Sequence, residues 1–273
     1  MRVALFATCL ADQAAPEAAV AAVRLLRHLG VDVVFPERQT CCGQPAFNAG
    51  YHAEARRLAE HHLRVFDGFD HVVMPSGSCA AMVVGHYPEL FERQPETFAL
   101  ARDLAARTHE FATFVVEVLG REDLSADLRG TRVTYHDGCH ALRTLSVAGA
   151  ARRLLRAAGA ELVEAPGHDD CCGFGGLFAV KMPEVSTAMA RAKHAGIRAT
   201  AAQVLTSADV GCLLQLGGSL RRAERNGEGA APRVVHLAEL LWEGVSRRRD
   251  PSRGRDPSPG RDPSRGAATG ADA

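Results

Sequence analysis

Residues Arg38–Gly50 read RQTCCGQPAFNAG. Adjacent cysteines seldom bond to each other, because the small ring strains disulfide geometry. The doublet Cys41–Cys42 therefore asks for another use. A second doublet, Cys171–Cys172, lies in HDDCCGFGGLFAV at His168–Val180, again followed by glycine. The other four cysteines are Cys9, Cys79, Cys139 and Cys212. The intervals from Cys9 to Cys139, Cys41 to Cys171 and Cys42 to Cys172 are each 130 residues, and that from Cys79 to Cys212 is 133. The chain is written twice.

The surroundings of the cysteines repeat as well. RVALFATC at Arg2–Cys9 parallels RVTYHDGC at Arg132–Cys139, an apolar run that ends on cysteine. A helical pattern, a glycine stop and a second apolar run follow in each half. HVVMPSGSC and QVLTSADVGC supply a third run and its cysteine. The period is far too long for a solenoid, so the repeat predicts two similar lobes. In lobe one, strands are expected at Arg2–Ala7, Val31–Phe35 and His71–Pro75, and helices at Pro16–Leu29 and His52–Phe66. In lobe two, strands are expected at Arg132–His136, Glu161–Ala165 and Gln203–Thr206, and helices at Ala148–Ala158 and from Pro183 to Ala195 or beyond. Alternating strands and helices imply an α/β fold, each lobe a small parallel sheet flanked by helices. The expected domains are a first lobe over 1–87, a mainly helical linker over 88–130 and a second lobe over 131–245. A tail over 246–273 repeats Arg-Asp-Pro-Ser three times. It has nothing apolar to bury and is expected to be disordered.

The 32 basic and 32 acidic residues cancel. No global field favours nucleic acid or membrane, and few aromatics are present for base stacking. No run of about 18 apolar residues exists to span a bilayer. The opening run Val3–Leu10 is short and acidic residues follow it, so it reads as a buried strand and the expected location is the cytoplasm. Eight cysteines in a reducing compartment point to metal or redox chemistry rather than structural disulfides.

Each cysteine group follows the end of an expected strand. In a parallel sheet these ends share one edge, where open α/β folds place ligands. Cys9, Cys41, Cys42 and Cys79 are expected to meet there, as are Cys139, Cys171, Cys172 and Cys212. Four thiolates suit iron–sulfur or zinc. Structural zinc sites favour C-x2-C knuckles, which neither half contains, so the spacing favours a polynuclear cluster. Zinc in one lobe stays open. Gly43 and Gly173 let backbone approach the sulfur, and Gly173–Gly176 adds amide donors. His136, His140 and His168 flank the second group and read as structural. Arg143 and Lys181 read as solvated charges, although they could attract a carboxylate. No Gly-x-Gly-x-x-Gly follows the first strand, which argues against a nucleotide site.

These residues carry a resemblance. The repeated Cys-Cys-Gly element is similar to the CCG cysteine-rich domain found in heterodisulfide reductase and in the iron–sulfur subunit of glycolate oxidase. FATCLAD, PERQTCCGQPAFNAGY, MPSGSC and CCGFGGLFAVKMPEVS resemble more closely the lactate-utilisation protein A family, over about residues 1–242. That resemblance implies an iron–sulfur subunit working with a ferredoxin-type iron–sulfur subunit and a third lactate-utilisation subunit to oxidise L-lactate to pyruvate. It implies one cluster per lobe, a [4Fe–4S] cluster where four sulfurs remain. The heterodisulfide reductase pattern ends in C-x2-C, and here Ser76 and Asp209 take the first position of that pair. Both are expected to cap or turn the chain, with Asp209 able to offer an oxygen ligand. Two other readings remain: a self-contained thiol–disulfide or hydroxyacid reductase, and a zinc-stabilised scaffold for redox partners.

Overall fold

A computed structural model describes residues 1–147 and 149–250. The first sheet contains β1 (Arg2–Leu5), β2 (Asp32–Val34), β3 (His71–Met74) and β4 (Thr108–Glu110) in the order β2-β1-β3-β4. The second contains β5 (Arg132–Tyr135), β6 (Glu161–Leu162), β7 (Val204–Ser207) and β8 (Arg233–His236) in the order β6-β5-β7-β8. Every pairing is parallel. Val3 aligns with Val33 and His71, and Val133 with Leu162 and Val204. The topology thus repeats along with the cysteines.

The central strands are apolar on both faces because helices cover both. Val3, Ala4 and Leu5 are buried, as are Val72, Val73 and Met74. The helix Pro16–His28 begins with proline at its first turn and turns Ala18, Ala22, Leu25 and Leu26 inward. Gly30 follows it at φ 81°, a conformation that suits glycine. The largest core cluster runs through both lobes and includes Leu25 and Leu26, Leu154 and Leu155, and Leu237, Leu240 and Leu241. Helix Pro16–His28 of the first half packs on helix Leu237–Arg249 at the end of the chain. The halves therefore form one body.

Two stretches differ from the expectation drawn from sequence. The segment 88–130, read as a linker, contains helix Pro95–Ala106 and then β4, the fourth strand of the first sheet. β8 completes the second sheet in the same way. Both strands are edge strands of three or four residues, and THE and RVVH give almost no periodic signal. The final helix runs to Arg249, so residues 246–249 belong to it and not to the tail. The rest of the tail reading, and Ala148, lie outside the described residues. No helix among the described residues is long and apolar enough to cross a membrane.

β4 and β8 each end on a residue that caps the next helix. The Glu110 carboxylate accepts from Ala112 N at 3.0 Å and Thr113 N at 3.1 Å, and the His236 ring accepts from Ala238 N at 3.1 Å. His236 also uses its other nitrogen, donating to Pro75 O of the first lobe at 3.2 Å. Burial pushes the Glu110 carboxyl up to about 7 despite these bonds. The native protein keeps this proton where the unfolded chain, with an ordinary carboxyl, has released it. The contribution of Glu110 to stability therefore falls as pH rises from its unfolded pKa to about 7, by at most roughly 3 kcal/mol. Glu110→Gln should gain on the wild type between pH 5 and pH 8, as read by denaturant titration of both proteins at each pH. An unchanged difference between them would remove Glu110 as the source.

Candidate metal centres

The sheet order turns between β1 and β3 in one lobe and between β5 and β7 in the other, and strand ends beside such a turn form a crevice. In lobe one, Cys9 opens a helix just after β1, Cys41 and Cys42 follow β2, and Cys79 lies in the helix after β3. Cys9 and Cys41 Sγ are 3.5 Å apart. Cys42 and Cys79 are buried in one core cluster, and Cys41 packs against it. The four form a continuous row. In lobe two, Cys139 reaches Cys171, Cys171 reaches Cys172, and Cys172 and Cys212 Sγ are 3.1 Å apart. Each expected quartet is brought together within its own lobe.

Local sequence explains how each sulfur is presented. Gly43 has φ 87° and Gly173 φ 83°, so each glycine can turn its amide back onto the doublet. Gly43 N lies 3.4 Å from Cys41 Sγ, and Gly173 N lies 3.4 Å from Cys171 Sγ. Phe174 N adds a donor at 3.5 Å from Cys172 Sγ. Thr8, just before Cys9, holds φ 69°, a value rarely adopted by a β-branched residue. Such strain costs on the order of 1–3 kcal/mol and often marks a functional turn. The Tyr87 hydroxyl donates to Cys42 O at 2.9 Å in a buried position, and Gln44 Nε2 donates to Ser78 O at 3.0 Å. These two bonds tie the doublet to the β3 side. In lobe two, Ser186 Oγ donates to Gly173 O at 2.7 Å, and Gln215 Nε2 bonds to that hydroxyl at 2.7 Å.

Crowding decides the electrostatics. Hydrogen bonds from neighbouring thiols pull the Cys41 and Cys171 thiols well below the usual range, those from Cys42 and Cys9 acting on the first and those from Cys139 and Cys172 on the second. The same pairings, with burial, push Cys9, Cys42, Cys139 and Cys172 up. Four thiolates cannot all ionise at this separation unless a cation shares their charge. A soft metal or an iron–sulfur cluster fits that donor set. A lone tetrahedral zinc with four sulfurs would need all of them within about 4 Å of one another. The row arrangement is more extended. Among the described residues, the one group of three donors mutually within 4.8 Å is His136, Cys172 and Cys212.

His136, expected from sequence to be structural, is a member of that group. The signal that could have raised it is the repeat itself, since the matching position 130 residues earlier is Phe6. His140 lies with its Nδ1 3.6 Å from Cys139 Sγ. His168 supports the site through Asp137. Burial alone would raise the Asp137 carboxyl, but Arg152, at 2.9 and 2.7 Å, and His168, at 2.7 Å, outweigh it and hold the carboxyl below its usual range. Arg143 and Lys181 are exposed.

Ser76 caps the helix Gly77–Ala81, accepting from Cys79 N at 3.3 Å, as expected. Asp209 departs from the expectation. It occupies the N-cap position of Val210–Arg225 but caps nothing with its side chain. Its carboxylate instead accepts from Ser76 Oγ at 2.9 Å, Ser78 Oγ at 2.7 Å and Ser78 N at 3.1 Å. The two positions that depart from the five-cysteine pattern thus bond to each other across the lobes. Around them, Gly77 lies so near Ala141 that a Cβ would sit 2.5 Å from that methyl group. The helix carrying Cys79 packs on the helix carrying Cys139, and the Cys9 helix on the Cys212 helix.

The cysteine-rich domain family CCG matches this chain twice, over residues 3–84 and 133–217, each match spanning one quartet. Lactate utilization protein A of Geobacillus kaustophilus is 48% identical over 242 residues, which is 88% of this chain and 98% of that one. Lactate utilization protein A 1 of Bacillus anthracis is 41% identical over 248 residues, 90% of this chain and 100% of that one. Among solved structures, a hypothetical protein from Helicobacter pylori superposes with a TM-score of 0.63 at 10% identity, covering 89% of this chain and 49% of that chain, a likeness of fold alone. With the doubled cysteine-rich domain and relatives this similar over nearly their whole length, the chain belongs to the lactate utilization protein A family.

Proposed function

We propose that the chain is an iron–sulfur electron-transfer subunit of a complex that oxidises L-lactate to pyruvate. The observation that carries the reading is the convergence of two separate cysteine quartets at the strand ends of two sheets. Its metabolic setting comes from relatives named for lactate utilization. Bound clusters, one [4Fe–4S] in each lobe, would supply one-electron chemistry between lactate, which gives up two electrons, and an acceptor. Cys9, Cys41, Cys42 and Cys79 would hold one, and Cys139, Cys171, Cys172 and Cys212 the other. The Gly43, Gly173 and Phe174 amides offer hydrogen bonds to sulfur, which favour the reduced state. Buried Phe6, Met74, Met82 and Tyr87 in lobe one, and Leu205, Leu216 and Leu220 in lobe two, pack in the same clusters as Cys42 and Cys79 and as Cys172 and Cys212, while Cys9, Cys41, Cys139 and Cys171 are half-exposed. The proposed partners are a ferredoxin-type iron–sulfur subunit and a third lactate-utilisation subunit, which would perform the chemistry on lactate itself.

Full-length protein purified anaerobically should be brown and contain iron and acid-labile sulfide. Colourless protein with zinc would favour the scaffold reading. Dye reduction by lactate with the chain alone would favour a self-contained reductase. Cys42→Ser and Cys172→Ser should each lower iron per chain by about half, as read by metal analysis; unchanged iron in both variants would overturn the ligand assignment.

Replacing the doublet glycines should have unequal effects. Both have positive φ, so Gly43→Ala and Gly173→Ala each introduce roughly 1 kcal/mol of backbone strain. A Cβ at Gly43 would meet its nearest neighbours at 3.4 Å, whereas one at Gly173 would lie 2.5 Å from Ser186 O. Gly173→Ala should therefore lose iron and lower the midpoint of thermal unfolding more than Gly43→Ala does.

A further inference from the structure

The two sites share a cysteine plan but not a donor set. His136 is buried and follows β5 at the place where lobe one has Phe6. Its Nδ1 lies 3.1 Å from His168 O. A carbonyl can only accept, so Nδ1 carries the proton and Nε2 keeps its lone pair. That Nε2 is fully buried and has no hydrogen-bond partner. A ring nitrogen of His136 lies within 4.8 Å of both the Cys172 and Cys212 sulfurs. Since Nδ1 is engaged by the carbonyl, Nε2 is the nitrogen left to serve them.

A buried, unpartnered lone pair is costly unless something meets it. A thiol proton from Cys212 could do so only while that sulfur remains protonated, and a bound metal removes that proton. The support behind the ring resembles that of a metal-bound imidazole. Such ligands usually donate their second N–H to a carbonyl or carboxylate, which fixes the tautomer and the ring plane. Here the His168 carbonyl receives Nδ1–H and also accepts from Asp137 N at 3.2 Å. The His168 ring is held in turn by Asp137, to which its Nδ1 donates at 2.7 Å, and Arg152 pairs with that carboxylate. The scaffold reaches from the imidazole through a loop to a buried ion pair.

We infer that His136 Nε2 is a protein ligand of the metal group held in the second lobe, taking the place of one of its four cysteine sulfurs, whereas the first lobe offers sulfur alone. The inference rests on the proposed metal occupancy and exchanges one of the four sulfurs assigned above for this nitrogen. A neutral nitrogen in place of a thiolate leaves less negative charge on the centre and raises its reduction potential. The two lobes are then unequal, and an electron shared between them rests on the second.

Pulsed electron paramagnetic resonance of dithionite-reduced, anaerobically purified full-length protein tests this, with samples grown on 14N- and 15N-histidine. A directly coordinated histidine nitrogen should appear in the wild type, change with the isotope, and vanish in His136→Phe, which copies lobe one. His136→Gln provides a second, smaller replacement should the phenylalanine variant fail to fold. Loss of the coupling should coincide with a lower reduction potential for one of the two centres and no shift in the other. A wild-type spectrum without histidine coupling, or coupling that survives in a folded variant, overturns the proposal. Should metal analysis find zinc instead of iron, the proposed function fails separately. X-ray absorption at the zinc edge would then report nitrogen among the ligands if His136 binds, and sulfur alone if it does not.

Discussion

Like charges gathered at the end of a parallel sheet are the constraint on which this protein is organised. Parallel strands joined by helical crossovers must all finish on the same edge. Cysteines placed just after three such strands arrive together although they are more than thirty residues apart in sequence. Once there, they repel as soon as they ionise. Proton sharing relieves that crowding in part, as the depressed Cys41 and Cys171 and the raised Cys42 and Cys172 show. A bound metal group would relieve it further. The left-handed glycines, the inward-facing amides and the tyrosine behind Cys42 all serve that one edge.

Duplication turns one such edge into two that face a shared seam. The helix after β3 lies on the helix after β5, and the helix after β1 lies on the one after β7. Close approach is made possible by small residues, with Gly77 against Ala141 and Gly138 beside the Asp209 carboxylate. At the seam, Asp209 collects three donors from the Ser76–Ser78 turn, and His236 reaches Pro75 O. A buried carboxylate with three donors is tolerated, but removing its partners would strand it. The two halves are therefore coupled through polar bonds as well as through the core they share.

The repeat also shows where copies diverge. Lobe one secures its β1 end through Gln39, whose Oε1 accepts from Ala7 N at 2.8 Å, and fills the place behind it with Phe6 packed on His62 and Phe66. Lobe two gives the corresponding duty to the His168 carbonyl and fills the place behind it with His136. One substitution at one register position separates an apolar backing from a nitrogen donor.

The eight cysteines, their doubled spacing and the six strands that precede them were legible in the chain, because strand periodicity and cysteine spacing are local and survive without neighbours. The glycine stop at Gly30 and the close approach of backbone to sulfur at Gly43 and Gly173 were legible for the same reason, but their left-handed conformation was not. The edge strands β4 and β8 were not, because three or four residues such as THE carry too little pattern and become strands only where an existing sheet edge accepts their hydrogen bonds. The bond from Asp209 to Ser76 was hidden because nothing local reveals a partner 133 residues away. The role of His136 stayed hidden for a related reason. A histidine beside a cysteine is common, and only folding determines which ring nitrogen meets a carbonyl and which is left facing sulfur. Residue types and their intervals thus determined that two thiol-rich sites exist, while the direction of each side chain, set by packing between distant segments, was decided only in the folded protein.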